Sequence, residues 1–101
     1  MRCVLLLCAL LALPTSASAG VEEAEAAWRL GERDRAGELV REWIRDHPES
    51  ARSAGVAALL ARTSEDPADA MGHWDEVIAL DPDGELAAEA RWEKAMHAYS
   101  A

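Results

Sequence analysis

Two stretches of the chain, residues 31–48 and 65–82, follow one plan at a fixed offset. Gly31 corresponds to Glu65, Ala36 to Ala70, Val40 to Trp74, Trp43 to Val77 and Pro48 to Pro82, each pair 34 residues apart. The segments ahead of them keep the same register, so that Ala24, Ala58 and Trp92 align, as do Ala27, Ala61 and Ala95. A repeat of this length restricts the fold more than local propensity does, because a single unit has no second surface on which to bury its apolar face. The units must stack, each covering its neighbour.

Periodicity supplies the elements to be stacked. Apolar residues recur three and four apart with no strand-like alternation, which predicts helices throughout. "VEEAEAAWRL" runs to a stop at Gly31. "DRAGELVREWIRD" follows, with Asp34 as its expected cap and Leu39, Val40, Trp43 and Ile44 on one face. Beyond Pro48, "SARSAGVAALLART" is expected to open at Ser50. "DPADAMGHWDEVIAL" takes Asp66 as cap and Pro67 at its first position, where the missing N–H costs nothing. "ELAAEARWEKAMHAYS" completes five helices joined by short turns. The glycines inside helices, Gly37, Gly55 and Gly72, each cost about 1 kcal/mol relative to Ala and are expected at points of close helix approach.

"GERDRAGELVREWIRDHP" and "EDPADAMGHWDEVIALDP" each carry a small Ala, a bulky residue four later, another three after that, and Pro five beyond. In this pattern and in its 34-residue period the chain resembles the tetratricopeptide repeat family. The resemblance covers two units and the first helix of a third. It implies an all-α fold of antiparallel helical hairpins stacked as a short right-handed solenoid of about two and a half repeats. The units span residues 20–50 and 51–84, followed by a capping helix over 85–101. The family's large residues at the start of each first helix are missing from the first unit and are small in the second, at Ala54 and Ala57.

The N-terminus follows different rules. Residues 1–19 combine Arg2, an apolar run from Cys3 to Leu13, Pro14 and the small Ala17-Ser18-Ala19, the pattern of a secretory signal peptide. The run is too short for a transmembrane helix, which needs roughly 20 apolar residues. Cys3 and Cys8, the only cysteines, would leave with it, so the exported domain would have neither a disulfide nor a thiol. The absence of Asn and Gln after residue 19, and Ala enrichment, suit a GC-rich bacterial gene and a periplasmic destination. A formal net charge of −9, one unit more negative without Arg2, argues against nucleic-acid or bare-membrane partners.

Catalysis finds no foothold: there is no cysteine outside the leader, no strand–turn–helix around a serine and no phosphate loop, so no enzyme and no cofactor is expected. His47, His73 and His97 lie in separate elements without zinc-ligand spacing, and no metal site is assigned. Soft pairs of Met71 with His73 and Met96 with His97 leave a periplasmic copper or zinc sensor as an alternative. Trp43, Trp74 and Trp92 fall in packing register and are expected in the core.

Trp28 differs, because the family resemblance puts the first helix of each unit on the concave face. There it implies a partner-binding surface comprising Trp28, Arg29, Arg52, Leu59, Arg62, Glu89, Glu93, Met96 and His97. Trp28 and Leu59 would be anchors and the arginines would set orientation. Val21, Glu25, Gly55 and Leu86 would flank them. Glu85, Glu89 and Glu93 form a like-charge ladder with some attraction for a basic partner. Ala88, Trp92, Ala95, Met96 and Tyr99 form an apolar stripe, with Arg91 and Lys94 expected where a sixth helix would pack. The resulting expectation is a non-enzymatic interaction scaffold of the periplasm or cell envelope. It would bind another protein's peptide or helix, without membrane insertion once the leader is removed. Homo-oligomerisation, as the N-terminal piece of a longer exported protein, is a further alternative.

Overall fold

The computed structural model describes residues 19–100; the expected leader lies, but for Ala19, outside them. Among the described residues the chain forms five α-helices: α1 (Ala19–Arg29), α2 (Arg33–Asp46), α3 (Ala54–Thr63), α4 (Pro67–Leu80) and α5 (Glu85–Ser100). A single 3-10 turn, Pro48–Ala51, joins α2 to α3. Each helix packs on the next, most extensively within the hairpins α1–α2 and α3–α4, and α3 also touches α1 and α5. This is a generic helical-repeat arrangement with hairpin-like contacts in chain order.

The helix ends follow from local chemistry. Gly31 has φ +83°, a conformation that Cβ-bearing residues rarely adopt. It lets Gly31 N–H donate to Trp28 O at 3.0 Å and Glu32 N–H to Ala27 O at 2.9 Å, satisfying the last carbonyls of α1. The chain enters α2 at once: Glu32 O accepts from Ala36 N–H at 2.9 Å, so the helix starts ahead of the expected Asp34 cap. Asp34 instead lies in the first turn, where its charge favours the helix dipole. The third helix starts later than Ser50, since residues 48–51 are taken by the 3-10 turn and Ser53, in an extended conformation, caps α3 by accepting from Val56 N–H at 3.2 Å. Asp66 and Pro67 act as expected, with Asp66 Oδ1 accepting from Ala68 N–H at 3.1 Å.

Two apolar clusters make the core, and α3 contributes to both. Ala24, Val40, Trp43, Val56 and Leu59 join α1, α2 and α3; Ala57, Ala58, Ala61, Trp74, Val77 and Ala90 join α3, α4 and α5. Buried alanines, including Ala24, Ala36, Ala58, Ala87 and Ala90 at 0% exposure, let the helix axes approach closely. Thr63, the one buried polar residue among the described residues, donates from Oγ1 to Leu59 O at 2.7 Å, so its hydroxyl is satisfied. The glycines divide: a Cβ on Gly37 would meet Thr63 Cβ at 3.2 Å, a true close approach, whereas Gly55 and Gly72 face open space, contrary to expectation.

The 34-residue register holds for the first two units and fails at the third. Ala24 and Ala58 are fully buried and Ala27 and Ala61 nearly so, but their counterparts on α5, Trp92 and Ala95, are exposed. Trp92 is therefore not a core residue. The earlier alanines are covered by the second helix of their own hairpin; α5 has no such helix among the described residues. Nor do Arg91 and Lys94 form the outward side of α5. Arg91 reaches back to Pro82 O at 2.9 Å, and Lys94 pairs with Asp75 on α4, leaving the apolar stripe outermost.

Candidate functional site

A groove of about 480 Å³ opens where α1, α3, α4 and α5 meet. Of the nine residues of the expected surface, six line this groove and three lie elsewhere. Trp28 comes from the end of α1, half-buried against the first cluster with one edge on the groove. Arg62, near the C-terminus of α3, lies across the floor. Its Nε and Nη2 donate to Glu89 Oε2 and Oε1 at 2.9 and 2.6 Å, a two-pronged pairing with a carboxylate on α5. The guanidinium carbon is 5.9 Å from the Trp28 ring centroid, within cation–π range. One cation therefore joins three helices at the groove floor.

Glu93, Met96 and His97 line the α5 side one and two turns beyond Glu89, as helical spacing requires. The like-charge ladder is thereby resolved into three environments: Glu85 is exposed, Glu89 is neutralised by Arg62, and Glu93 is half-buried at the groove wall.

Three expected residues lie elsewhere. Leu59 is 0% exposed inside the first cluster and offers no anchor, because the α3 face carrying it is closed by α1 and α2. Arg29 is on the open side of α1, 3.9 Å from Glu25 one turn back, a local pair of the kind that contributes little. Arg52 lies in a separate shallow depression with Pro48 and Glu49, displaced by the 3-10 turn that precedes α3. The three arginines do not converge on a common anion site. Of the flanking positions, Val21 and Leu86 pack against the two core clusters.

Residues outside the expected set complete the groove: Arg33, Pro67, Met71 and Trp74. Arg33 donates from Nε to Arg62 O at 3.2 Å and from Nη2 to Ser64 O at 2.7 Å, capping the C-terminal carbonyls of α3 from the neighbouring hairpin. Its place just after the Gly31 turn was the available signal, since that turn lies 34 residues from the α3–α4 turn it contacts. Trp74 was concealed by its register, which marks it as packing, and the sequence marks Met71 only as a soft ligand beside His73. Trp74 is 2% exposed, yet its edge still lines the groove.

Outside the groove, His47 has a structural setting: its ring stacks on Trp43 at 4.8 Å and Nδ1–H donates to Trp43 O at 3.1 Å, closing the end of α2. Among the described residues no three His, Cys, Asp or Glu side chains gather as metal ligands, and no helix is long and apolar enough to cross a membrane. No family model, curated protein or solved structure matches this chain.

Proposed function

We propose that the chain is an exported, non-enzymatic, tetratricopeptide-like scaffold of the bacterial periplasm or cell envelope, and that its groove takes a peptide or helix from another protein. The 34-residue register and the signal-like residues 1–19 support the family and the destination. The docking role rests on one observation above the others: indole and thioether edges from Trp28, Trp74, Met71 and Met96 border a groove whose central arginine and glutamate are already paired. Such a surface offers apolar contact at small desolvation cost, with the Arg62–Glu89 pair holding the floor and Glu93 and His97 at the wall to fix orientation. A helical-repeat architecture is often used this way, and the site rather than the fold carries the assignment.

Photo-crosslinking tests it. A crosslinker at Met96 should capture a partner segment in the cell envelope, Trp28→Ala should reduce that capture several-fold, and a crosslinker at Arg52 should capture little. Equal capture from Met96 and Arg52 would refute the groove as the docking site.

A second reading has one supporting observation, the presence of Met71, Met96 and His97 along the same groove. Two thioethers and an imidazole suit a soft cation such as copper(I). Titrating copper(I) against a competing chelator distinguishes the readings: no binding, or binding unchanged in Met71→Leu, discards the metal.

A further inference from the structure

The outer face of α5, turned away from the groove, is a large apolar exposure among the described residues, with Trp92 59% and Tyr99 91% exposed and Ala88 and Ala95 also open. We propose that this face pairs with α5 of a second copy of the chain, the two helices antiparallel about a two-fold axis level with residues 93 and 94. This goes beyond the groove reading and does not depend on it.

Three observations carry the assignment. The first is coverage: the register-equivalent positions Ala24 and Ala58 are buried by α2 and α4, so the face of α5 is of a type this chain elsewhere covers with a helix.

The second is the order of sizes along the stripe. Ala88, Trp92, Ala95 and Tyr99 alternate small and large, and the alternation inverts when the helix is reversed. In the antiparallel pair Ala88 meets the second copy's residue 99 and Trp92 its residue 95, large against small at every level. A two-fold interface requires such self-complementarity. A parallel pair would set indole against indole.

The third is area. A helix of 16 residues is about 24 Å long. The exposed parts of Trp92 and Tyr99 supply about 300 Å² per copy, given aromatic side chains of roughly 150–250 Å². With the alanines and rim, two copies would bury about 1,000 Å², the low end of specific interfaces, which fits a weak, reversible dimer rather than an obligate one. Each copy of the chain from residue 20 carries a formal charge one unit more negative than the full sequence's −9, so repulsion opposes approach and added salt should strengthen association.

Sedimentation equilibrium of the chain from residue 20, from micromolar to millimolar concentration, tests the pairing. A monomer–dimer equilibrium that tightens with salt is expected. Trp92→Glu should weaken it at least about 30-fold. Ala95→Trp should also weaken it by opposing two indoles, and combining Trp92→Ala with Ala95→Trp should restore it by exchanging small and large. Both positions are exposed, so circular dichroism should show unchanged helix content. A monomer throughout overturns the proposal and leaves the face to a helix from another protein. Association that the paired exchange fails to restore overturns the antiparallel pairing.

Discussion

Leu59→Ala should remove about 3 kcal/mol of stability, and unevenly along the chain. Leu59 is fully buried among Ala24, Val40, Trp43 and Val56. Truncation to Ala deletes three carbons, worth about 2.4 kcal/mol at ~0.8 per methylene. A residual cavity of roughly 40 Å³ adds about 1 kcal/mol. A domain of this size has about 4–12 kcal/mol in all, so the loss is a quarter or more of the total. It should fall mainly on α1 and α2, because the second cluster draws on α3, α4 and α5 and excludes Leu59. Urea unfolding followed by far-ultraviolet circular dichroism measures the total. Native-state hydrogen exchange locates it, with amides of α1 and α2 losing more protection than those of α4 and α5. Val77→Ala should give the opposite distribution. A cost below about 1 kcal/mol would refute Leu59 as a core residue, and equal loss of protection in both halves would refute the division into two clusters.

Gly72→Ala should raise stability by about 0.5–1 kcal/mol, since the added methyl faces open space; Gly37→Ala should show no gain, because its methyl meets Thr63. Thermal melts of the two variants provide the comparison. Ser53→Ala should cost about 1 kcal/mol through loss of the bond from Val56 N–H, with Ser50→Ala smaller, as paired urea titrations would establish. A double-mutant cycle of Arg62→Met and Glu89→Gln should give a coupling of about 1 kcal/mol for a two-pronged pair only partly shielded from solvent, and the same cycle for Arg29 and Glu25 should give little.

What could be read ahead of the structure divides along physical lines. Helices, their prolines and the buried alanines follow from periodicity and register, which are local or strictly periodic. Asp66 with Pro67 was legible for the same reason, whereas Ser53 was preferred over Ser50 only because a 3-10 turn intervened. Trp92 shows the limit of register: position predicts burial only where a covering helix exists. Leu59 and Arg52 show two limits of periodic placement: it does not say which neighbours close a face, as α1 and α2 close the one carrying Leu59, and it extends a helix to Arg52, which precedes the Ser53 cap. Trp28, Arg62, Glu89, Glu93, Met96 and His97, expected on one face, line one groove. That Arg62 would be taken by Glu89 depended on the spacing of α3 and α5 in space, which no local pattern encodes.

The central place of α3, touched by every other helix, has a kinetic consequence. Nearly all contacts run between neighbours in the chain, a low contact order that favours folding in microseconds to milliseconds. Each hairpin packs most extensively within itself, so either can nucleate, in parallel routes, and α3 is the helix on which the two halves then meet. Substitutions such as Ala58→Gly should slow refolding, whereas changes at the outer ends of α1 and α5 should act chiefly on the unfolding rate. A chain emerging N-terminus first could thus complete α1, α2 and α3 as a unit before α4 is available, with α5 closing last.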